Sequence, residues 1–467
     1  MMRTIFTEFE AAGRAGPDKT ALVYRDEAVS FATLLRRVRK AAGFMQSLPS
    51  GAIALSMASG ADMLIAFIAA AAVGRPALVL DPNAPRETGA AALELAKPAI
   101  HLTTLPQGAA ATALPEVSRH TEFYWGLTSG TTAAPKIFAR THHSWLATFE
   151  TAEQVFDFAA DDVLALPGSL SHSLFLFGAV HALCRGMTAM LCAPFSPGRI
   201  AREMAAHRAS VLYVVPAMLD PLLRSRQTAW RAGLRRIFSS GAKLSPETRA
   251  AIESALPGVD LVEGYGSSET SYISYVSTTV PAPAGSAGQL FPGVAVEIRD
   301  ADGRACAEGE TGTIWVRSAM TFSRYVGGPA ARAPGGWVTP GDTGRLSGGY
   351  LYLAGRANRV INVKGTKVHP ETIEQALQAH PGVAQAAVIG LDDPKRGQRL
   401  AAIVVPRGNV TDRASLSAHC RARLGINLTP QRFFRAGALP QTRSGKVAVE
   451  MLREALMRGD PAYRELE

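Results

Sequence analysis

The sequence has few cysteines, and none of them is paired by spacing. Its 467 residues include only Cys184, Cys192, Cys306 and Cys420, and no two of these form a C-x-x-C pair. This scatter argues against a zinc ribbon and against a disulfide framework, and it fits a reducing compartment. The N-terminal stretch MMRTIFTEFEAAGRAGPDK also lacks the apolar core of a signal peptide. These absences predict a cytoplasmic protein.

No apolar run is long enough to span a bilayer. The most apolar stretch, MLIAFIAAAAVG (63–74), is shorter than the roughly 20 residues that a transmembrane helix needs. RPALVLDP follows it directly. The sequence therefore predicts a buried helix leading into a strand, and no membrane span.

The positive charge lacks the pattern of a nucleic-acid site. The net charge is +10, and residues 359–467 hold 17 Lys and Arg against 10 Asp and Glu, whereas the remainder holds 32 against 29. No Lys/Arg block interleaves with aromatic residues, so no nucleic-acid partner is predicted. A nucleotide, CoA or an acidic carrier protein would suit the surplus, and so would a solvated surface.

Length and periodicity predict an α/β protein with more than one domain. Over the first 270 residues, short β-rich runs alternate with long amphipathic stretches, which is typical of βαβ units and a parallel sheet. These runs are PALVL (76–80), DVLAL (162–166), SVLYVVP (210–216) and RRIFSSG (235–241).

The pattern changes after Gly285. Residues 293–318 alternate with period two and contain D-G and E-G turns, which predicts antiparallel hairpins. A second hairpin-like run covers 347–365, and a helix near 370–379 and the strands AAVIG (386–390) and AAIVVP (401–406) follow. The C-terminal part is therefore predicted to mix helices and strands.

One loop motif carries the first chemical signal. GLTSGTTAAPK (126–136) follows the aromatic stretch FYW and combines glycines, hydroxyls and a lysine. It is not a Walker loop, because no second glycine precedes Lys136 and Pro135 does. Clustered N–H groups and hydroxyls can still cradle phosphate. On the loop alone, a phosphate site and a solvated turn stay equally open.

Four further motifs favour the nucleotide interpretation. EGYGSSET (263–270) carries Glu269, and Mg²⁺ is commonly held by one or two carboxylates and substrate phosphates. WVTPGDTGRL (337–346) carries Asp342, an acceptor for ribose hydroxyls. LYLAGRANRVINVKG (351–365) carries Arg356, and LPQTRSGKVAVEML (439–452) carries Lys446. Each motif alone is compatible with a surface turn, but their joint occurrence in this order is not easily dismissed.

In this order, the motifs resemble those of the adenylate-forming superfamily, which comprises acyl- and aryl-CoA synthetases, adenylation domains of peptide synthetases and firefly luciferase. The resemblance covers nearly the whole chain, from residues 17–38 to Lys446. It implies a large N-terminal domain (1–357) of α/β subdomains with a small β-barrel-like part. It also implies a small mobile α+β C-terminal domain (358–467), and it leaves the oligomeric state open.

The same resemblance implies roles for individual residues. Lys446 corresponds to the catalytic lysine, Glu269 to the Mg²⁺ ligand, and Gly365 to the lining of the thiol channel. The segment LPGSLSHSLFLFGAV (166–180) corresponds to the acid pocket and makes His172 a candidate. The remaining matches are to the phosphate loop (Thr128, Ser129, Gly130, Thr131, Thr132, Lys136), the adenine pocket and its flank (Gly241, Ala242, Gly264, Tyr265, Ser268) and the ribose contacts (Asp342, Arg356).

The implied reaction uses ATP, Mg²⁺ and a thiol. A carboxylate would attack the α-phosphate of ATP, and CoA or a carrier-protein phosphopantetheine would then take the acyl group. Three functions are therefore compatible with the resemblance: an aryl- or acyl-CoA ligase, a stand-alone enzyme that loads a carrier protein, and a non-catalytic nucleotide binder. The joint presence of Glu269, Asp342, Arg356 and Lys446 argues against the third.

The chain departs from the superfamily pattern at several positions. Ala133 replaces the usual glycine of the phosphate loop, Ser268 replaces the commoner threonine, and Asn358 stands where the hinge usually has Asp or Lys. The part before the loop is also shorter than usual.

The acid itself is only partly constrained by the sequence. The segment 166–180 has no Asp where amino-acid-activating relatives keep one, which argues against an amino-acid substrate. Phe175, Phe177 and Tyr272 could form a flat pocket for an aryl or short acyl group, or they could be ordinary core. THHSW (141–145) is interpreted as a helix start, because no third ligand lies at zinc spacing.

Overall fold

The alternation of short apolar strands with amphipathic helices produces an α/β architecture, as the sequence predicts. The computed structural model describes residues 3–25, 27–58, 60–111, 113–128, 135–328, 332–363, 366–393, 397–408, 412–441 and 447–467, without the side chains of 358, 366, 367 and 397. Two compact units are present. Unit 1 comprises Met1–Val296 and Val316–Pro340, and unit 2 comprises Glu297–Trp315 and Gly341–Glu467. The expected domain boundary between residues 357 and 358 falls inside unit 2 and stays a prediction.

Helices and strands alternate along most of the chain. The described α-helices are α1 (Ile5–Ala15), α2 (Phe31–Gln46), α3 (Gly60–Ala72), α4 (Arg86–Ala96), α5 (His142–Val155), α6 (Ser173–Cys184), α7 (Pro197–Ala206), α8 (Pro216–Leu223), α9 (Pro246–Ala255), α10 (Pro370–Gln378), α11 (Arg413–Leu424) and α12 (Val449–Met457). The described strands are β1 (Thr20–Tyr24), β2 (Glu27–Ser30), β3 (Ile53–Leu55), β4 (Ala77–Val79), β5 (Ile100–Leu102), β6 (Glu122–Thr128), β7 (Lys136–Thr141), β8 (Val163–Leu166), β9 (Thr188–Leu191), β10 (Val211–Val214), β11 (Arg236–Ser240), β12 (Asp260–Ser267), β13 (Ser271–Val276), β14 (Gln289–Leu290), β15 (Ala295–Arg299), β16 (Gly312–Arg317), β17 (Arg324–Tyr325), β18 (Asp342–Ser347), β19 (Tyr350–Arg356), β20 (Ile361–Val363), β21 (Thr366–Val368), β22 (Val383–Asp393), β23 (Gly397–Pro406), β24 (Arg432–Arg435) and β25 (Arg464–Glu465).

Unit 1 contains two sheets with largely parallel centres. In the first, the strand order is β14-β13-β12-β11-β10-β8-β9-β1-β2, and the pairs from β12 to β1 are parallel. In the second, the order is β17-β7-β6-β4-β3-β5, with an antiparallel β6–β7 hairpin at the side of β17. The carboxyl ends of parallel strands are where open α/β sheets bind ligands. This rule directs attention to the residues that follow β6, β11 and β12.

Local sequence signals explain where the helices of unit 1 begin. Ser30, Thr141 and Ser245 are N-caps whose hydroxyls accept from backbone N–H groups three residues later. The apolar stretch predicted as a buried helix is α3, and its buried residues cover all but Gly60 and Asp62. No helix in the described part of the chain combines the length and the apolar character that a bilayer crossing requires.

Unit 2 combines antiparallel hairpins with a small mixed sheet. β18 and β19 pair from Asp342↔Arg356 to Ser347↔Tyr350, and β16 pairs antiparallel with β18. The C-terminal sheet has the order β21-β20-β23-β24-β25, with β22 also paired to β23. A core that includes Ile373, Val388 and Leu416 joins this sheet to α10 and α11. The predicted mixture of helices and strands is confirmed.

Candidate functional site

The phosphate-loop motif begins inside β6 and ends at the first residue of β7, at the loop end of the β6–β7 hairpin. Thr128 and Lys136 are register partners there, so the loop leaves and returns at one point. Gly126 is required in β6, because a Cβ at this position would lie 2.3 Å from the Phe138 ring and 2.5 Å from the Tyr124 hydroxyl. The other predicted loop residues, Ser129, Gly130, Thr131, Thr132 and Ala133, lie outside the described residues.

The residues predicted for the adenine pocket lie on two adjacent parallel strands: Gly241 and Ala242 follow β11, and Gly264 and Tyr265 lie within β12. Ser240 at the end of β11 is the register partner of Gly264 in β12, and the Ser240 hydroxyl donates to the Gly264 carbonyl at 2.9 Å. Gly241 turns the chain with φ +90°, a conformation that favours glycine, and Ala242 follows it. A Cβ on Gly264 would meet no atom within 4 Å. Open space therefore lies over Gly264, where a planar base could approach the backbone.

Glu269 lies in the tight turn between β12 and β13. Ser267 and Thr270 close this turn through a hydroxyl–hydroxyl contact of 3.0 Å. The Phe322 N–H donates to the Glu269 carbonyl at 2.6 Å, and the Tyr325 hydroxyl donates to Glu269 Oε1 at 3.2 Å. The half-buried carboxylate is thus held by a segment more than fifty residues later in the chain.

Tyr325 connects Glu269 with the phosphate-loop hairpin. It lies on β17, which pairs with β7, and Lys136 Nζ is 5.9 Å from the centre of its ring. Burial, followed by the charge of Glu269 and the hydrogen bond to it, raises the pKa of Tyr325 well above its usual value. The phenol is therefore a neutral donor at neutral pH. Tyr325 therefore contacts both the amino group of Lys136 and the carboxylate of Glu269 in unit 1.

A buried arginine also holds the same turn. Arg140 on β7 is 2% exposed, and its Nη1 donates to the Ser268 carbonyl at 2.7 Å. Its Nη2 donates to Ser271 Oγ at 2.7 Å and to the Met320 carbonyl at 2.6 Å. Burial lowers the pKa of Arg140 to about 9, and the nearby charge of Glu269 opposes that decrease. The guanidinium is therefore still charged at neutral pH.

The Glu269 carboxylate and its surroundings fit a hydrated magnesium ion. Tyr325 donates to Oε1, and Oε2 has no hydrogen-bond partner among the described residues. Mg²⁺ usually keeps several waters and takes one or two carboxylates together with substrate phosphates. A single half-buried carboxylate beside a phosphate-loop hairpin meets that requirement.

The predicted ribose contacts lie in unit 2 and contact each other. Asp342 and Arg356 are register partners at the open end of the β18–β19 hairpin, and Arg356 Nε is 2.8 Å from Asp342 Oδ1. The Asp342 side chain is 13% exposed and that of Arg356 is 44% exposed. The Ala357 N–H closes the same end by donating to the Gly341 carbonyl at 2.9 Å. The sequence predicted both residues, but it did not predict their ion pair.

The segment expected to line the acid pocket forms the start of α6. His172 is the N-cap residue, half-buried and outside the apolar body of the helix. Phe177 and Tyr272 meet edge to face with ring centres 5.8 Å apart. Phe175 instead packs on Gly168, where a Cβ would lie 1.8 Å from the Phe175 ring. The proposed aromatic surface therefore joins Phe177 and Tyr272, while Phe175 fills a turn.

Some residues singled out by the sequence lie outside the described part of the chain. They are Gly365 and Lys446, together with the side chain of Asn358. Conversely, the sequence interpretation missed Arg140 and Tyr325. Arg140 had one available signal, since it is the charged residue in the otherwise apolar run IFA-R of β7. Tyr325 had none, because nothing in SRYVGG marks it as a partner of Glu269.

Comparison with known proteins gives matches over nearly the whole chain. The model of the AMP-binding enzyme family matches residues 9–124 and 110–326, and the model of the AMP-binding enzyme C-terminal domain matches residues 372–446. YhfT of Bacillus subtilis, described as an uncharacterised acyl-CoA ligase, is 33% identical over 97% of this chain and 98% of its own length.

Two solved structures have the same fold. ATP-bound MatB from Rhodopseudomonas palustris aligns with a TM-score of 0.90 at 23% identity, covering 97% of this chain and 99% of that one. The o-succinylbenzoate CoA synthetase MenE from Bacillus subtilis, in complex with its acyl-adenylate intermediate, aligns with a TM-score of 0.86 at 24% identity, covering 97% and 98%. At these identities the likeness to both structures is one of fold.

Proposed function

The chain belongs to the AMP-binding enzymes, the adenylate-forming superfamily that its motifs resemble, and on that premise we propose that it activates a carboxylic acid with ATP and forms a CoA thioester. The observation that carries this proposal is the convergence of Lys136, Tyr325 and Glu269 beside the ends of β6 and β12. This position is where a nucleotide is expected on an open α/β sheet. The acyl-CoA ligase described for YhfT supports the same reaction class.

In the first half-reaction, an oxygen of the acid carboxylate attacks the α-phosphorus of ATP. The bond from that phosphorus to the bridging oxygen breaks, pyrophosphate leaves, and an acyl-adenylate remains. Two anions must approach each other, so positive charge has to be fixed before the reaction begins. Lys136 at the hairpin would bind the β- and γ-phosphates, and Lys446 would stabilise the transition state. Magnesium held by Glu269 would neutralise charge on the phosphates.

In the second half-reaction, the sulfur of the thiol attacks the acyl carbon of the mixed anhydride. The bond between that carbon and the phosphate oxygen breaks, AMP leaves, and the thiol proton passes to the medium. Residues 358–467 are proposed as a mobile domain that carries Lys446 in the first step and lines the thiol path near Gly365 in the second. A glycine at that position would allow close approach of the thiol.

For the acid, we propose an aryl or short acyl substrate bound against Phe177 and Tyr272. Their rings meet edge to face, and Tyr272 lies near the start of β13, only three residues after Glu269. His172, which is half-buried at the N-cap of α6, is the proposed contact for the reacting carboxylate. An amino-acid substrate stays disfavoured, because segment 166–180 has no Asp for an α-ammonium group.

Transfer to a carrier-protein phosphopantetheine is the second candidate. It is compatible with the charge of residues 359–467, where Lys and Arg outnumber Asp and Glu by 17 to 10. An acidic partner would be attracted to this surplus. CoA carries its own phosphates and would be attracted as well, so charge alone does not separate the two acceptors.

The deciding experiment is a pyrophosphate-release assay with ATP and Mg²⁺ across benzoates, cinnamates, fatty acids and amino acids, with and without CoA. We expect release that requires one class of aryl or acyl acid and accelerates with CoA. Release that stays slow with CoA and accelerates with a phosphopantetheinylated carrier protein would instead support the second candidate. Failure of every acid to release pyrophosphate would contradict both.

A further inference from the structure

Arg140 stands out as a buried cation without a buried anion in contact with it. It is 2% exposed, and no Asp or Glu side chain is among the acceptors of its hydrogen bonds to the described residues. A buried charge is costly unless it is fully hydrogen-bonded. Each guanidinium nitrogen of Arg140 does donate, and all the acceptors are hydroxyls or backbone carbonyls. The arrangement keeps a positive charge buried without neutralising it.

The acceptors of Arg140 bracket Glu269. The Ser268 carbonyl lies immediately before Glu269 in the chain, and Ser271 Oγ lies two residues after it. Ser271 has φ +57°, which is uncommon for a residue other than glycine and needs support from its surroundings. The guanidinium supplies that support, together with Thr148, whose hydroxyl donates to Ser271 Oγ at 3.1 Å.

Arg140 also fixes the segment that contacts the Glu269 side chain. Its Nη2 binds the Met320 carbonyl, at the start of the stretch whose Phe322 N–H and Tyr325 hydroxyl bind Glu269. One side chain therefore joins β7, the Glu269 turn and residues 320–325. The planar guanidinium of an arginine can bind all of these acceptors, because its N–H groups point in fixed directions. The ammonium group of a lysine cannot match all of them.

We propose that Arg140 is a positioning residue that fixes the Glu269 carboxylate for binding of the magnesium–nucleotide complex. This inference rests on the proposed function, because it assigns a task to Arg140 through Glu269. Without the Arg140 guanidinium, the Glu269 turn and residues 320–325 would lose the hydrogen bonds that join them. The Glu269 carboxylate would then be held less firmly in position to bind the metal. The loss would fall on metal-dependent nucleotide binding more than on the fold.

Arg75 offers a matched control. It is 8% exposed, lies in the same unit, and donates to the backbone carbonyls of Gly51 and Met45 at 2.7 and 3.0 Å. None of its described contacts involves the Glu269 turn. Arg75→Met and Arg140→Met therefore both remove a buried, carbonyl-bound guanidinium, but only Arg140→Met removes one that holds Glu269.

The test is a Mg²⁺ titration of binding of a fluorescent ATP analogue, mant-ATP, without any acid present, alongside thermal unfolding. We expect Arg140→Met to raise the half-saturating Mg²⁺ concentration about tenfold, the size of effect that follows from loss of hydrogen bonds to a charged group. Arg75→Met should leave the half-saturating Mg²⁺ concentration unchanged. Both variants should lower Tm by a similar amount, because each removes a buried guanidinium. Arg140→Lys should recover only part of the loss, because it restores the charge without the planar guanidinium.

Ser271→Ala provides a second route if Arg140→Met folds poorly, since it removes one acceptor and leaves Arg140 in place. We expect it to raise the half-saturating Mg²⁺ concentration by a smaller factor in the same direction. Equal changes in the half-saturating Mg²⁺ concentration for Arg140→Met and Arg75→Met would overturn the role of Arg140 but not the proposed function. An unchanged half-saturating Mg²⁺ concentration in Ser271→Ala would do the same. A wild-type protein that binds no mant-ATP in the presence of Mg²⁺ would overturn the proposed function, and this inference with it.

Discussion

Tyr325 donates a hydrogen bond of 3.2 Å to Glu269 Oε1, although the two residues are 56 positions apart in the chain. The Tyr325 ring also lies 5.9 Å from Lys136 Nζ. One phenol therefore links the residue proposed to bind the phosphates with the residue proposed to bind the metal. Removal of the Tyr325 hydroxyl would therefore break this link at Glu269.

Tyr325→Phe should weaken binding of Mg·ATP while leaving the fold intact. It removes a donor to a carboxylate and keeps the ring beside Lys136, so we expect an increase of about tenfold in the KM for Mg·ATP. Initial rates of pyrophosphate release at varied Mg·ATP measure this. Tyr24→Phe on β1 is the control. Equal KM values for the two variants would contradict the assigned role.

Lys446→Ala should abolish formation of the acyl-adenylate. A cation placed to stabilise charge in the transition state contributes about a hundredfold or more to the rate, and no neutral side chain replaces it. Exchange of labelled pyrophosphate into ATP in the presence of the acid measures this half-reaction. Lys40→Ala, on the exposed face of α2, should exchange at the wild-type rate. Wild-type exchange by Lys446→Ala would remove this lysine from the mechanism.

Asp342→Asn should reduce discrimination between ATP and its 2′- and 3′-deoxy analogues. The carboxylate accepts from Arg356 at 2.8 Å and is the proposed acceptor for the ribose hydroxyls. We expect the wild type to favour ATP about tenfold by the energy of a charge-assisted hydrogen bond, and the variant to lose most of that preference. The ratio of kcat/KM values for the paired nucleotides gives the answer. An unaltered ratio would place the ribose elsewhere.

His142 should make the protein sensitive to acid. Burial lowers the pKa of His142 to about 3, whereas in the unfolded chain its pKa is about 6.5. Between pH 6.5 and pH 3, His142 therefore binds a proton only in the unfolded chain. The contribution of neutral His142 to the free energy of unfolding is present above pH 6.5 and decreases as the pH falls below it. Between pH 6.5 and 5 the contribution lost is about 1.5 kcal/mol of unfolding free energy.

The variant that tests this is His142→Asn, because an amide oxygen can still accept from the Ile5 N–H that His142 Nδ1 binds at 3.3 Å. Urea unfolding at pH 7 and pH 5 should show a smaller pH dependence for His142→Asn than for the wild type. His101→Asn, at an exposed position, should retain the full dependence. The same pH dependence in all three proteins would rule out His142 as its source.

The elements of unit 1 were largely predictable because their signals are local. The run SVLYVVP contains β10 and RRIFSSG contains β11, since an apolar run bounded by turns is visible without any partner strand. The buried helix predicted from the stretch 63–74 is α3, and in unit 2 the helix predicted near 370–379 is α10. The family was likewise accessible, because five motifs occur in order along one chain.

The sequence by itself determined the strands, the helices and the motifs, since each is specified by residues close together in the chain. The tertiary structure alone decided which distant groups meet: Tyr325 with Glu269, Arg140 with Ser271, and Asp342 with Arg356. It also grouped the 342–356 hairpin with the C-terminal sheet in one compact unit. The physical reason is that strand order and buried polar contacts depend on long-range packing, which leaves no periodic trace in the residues that take part.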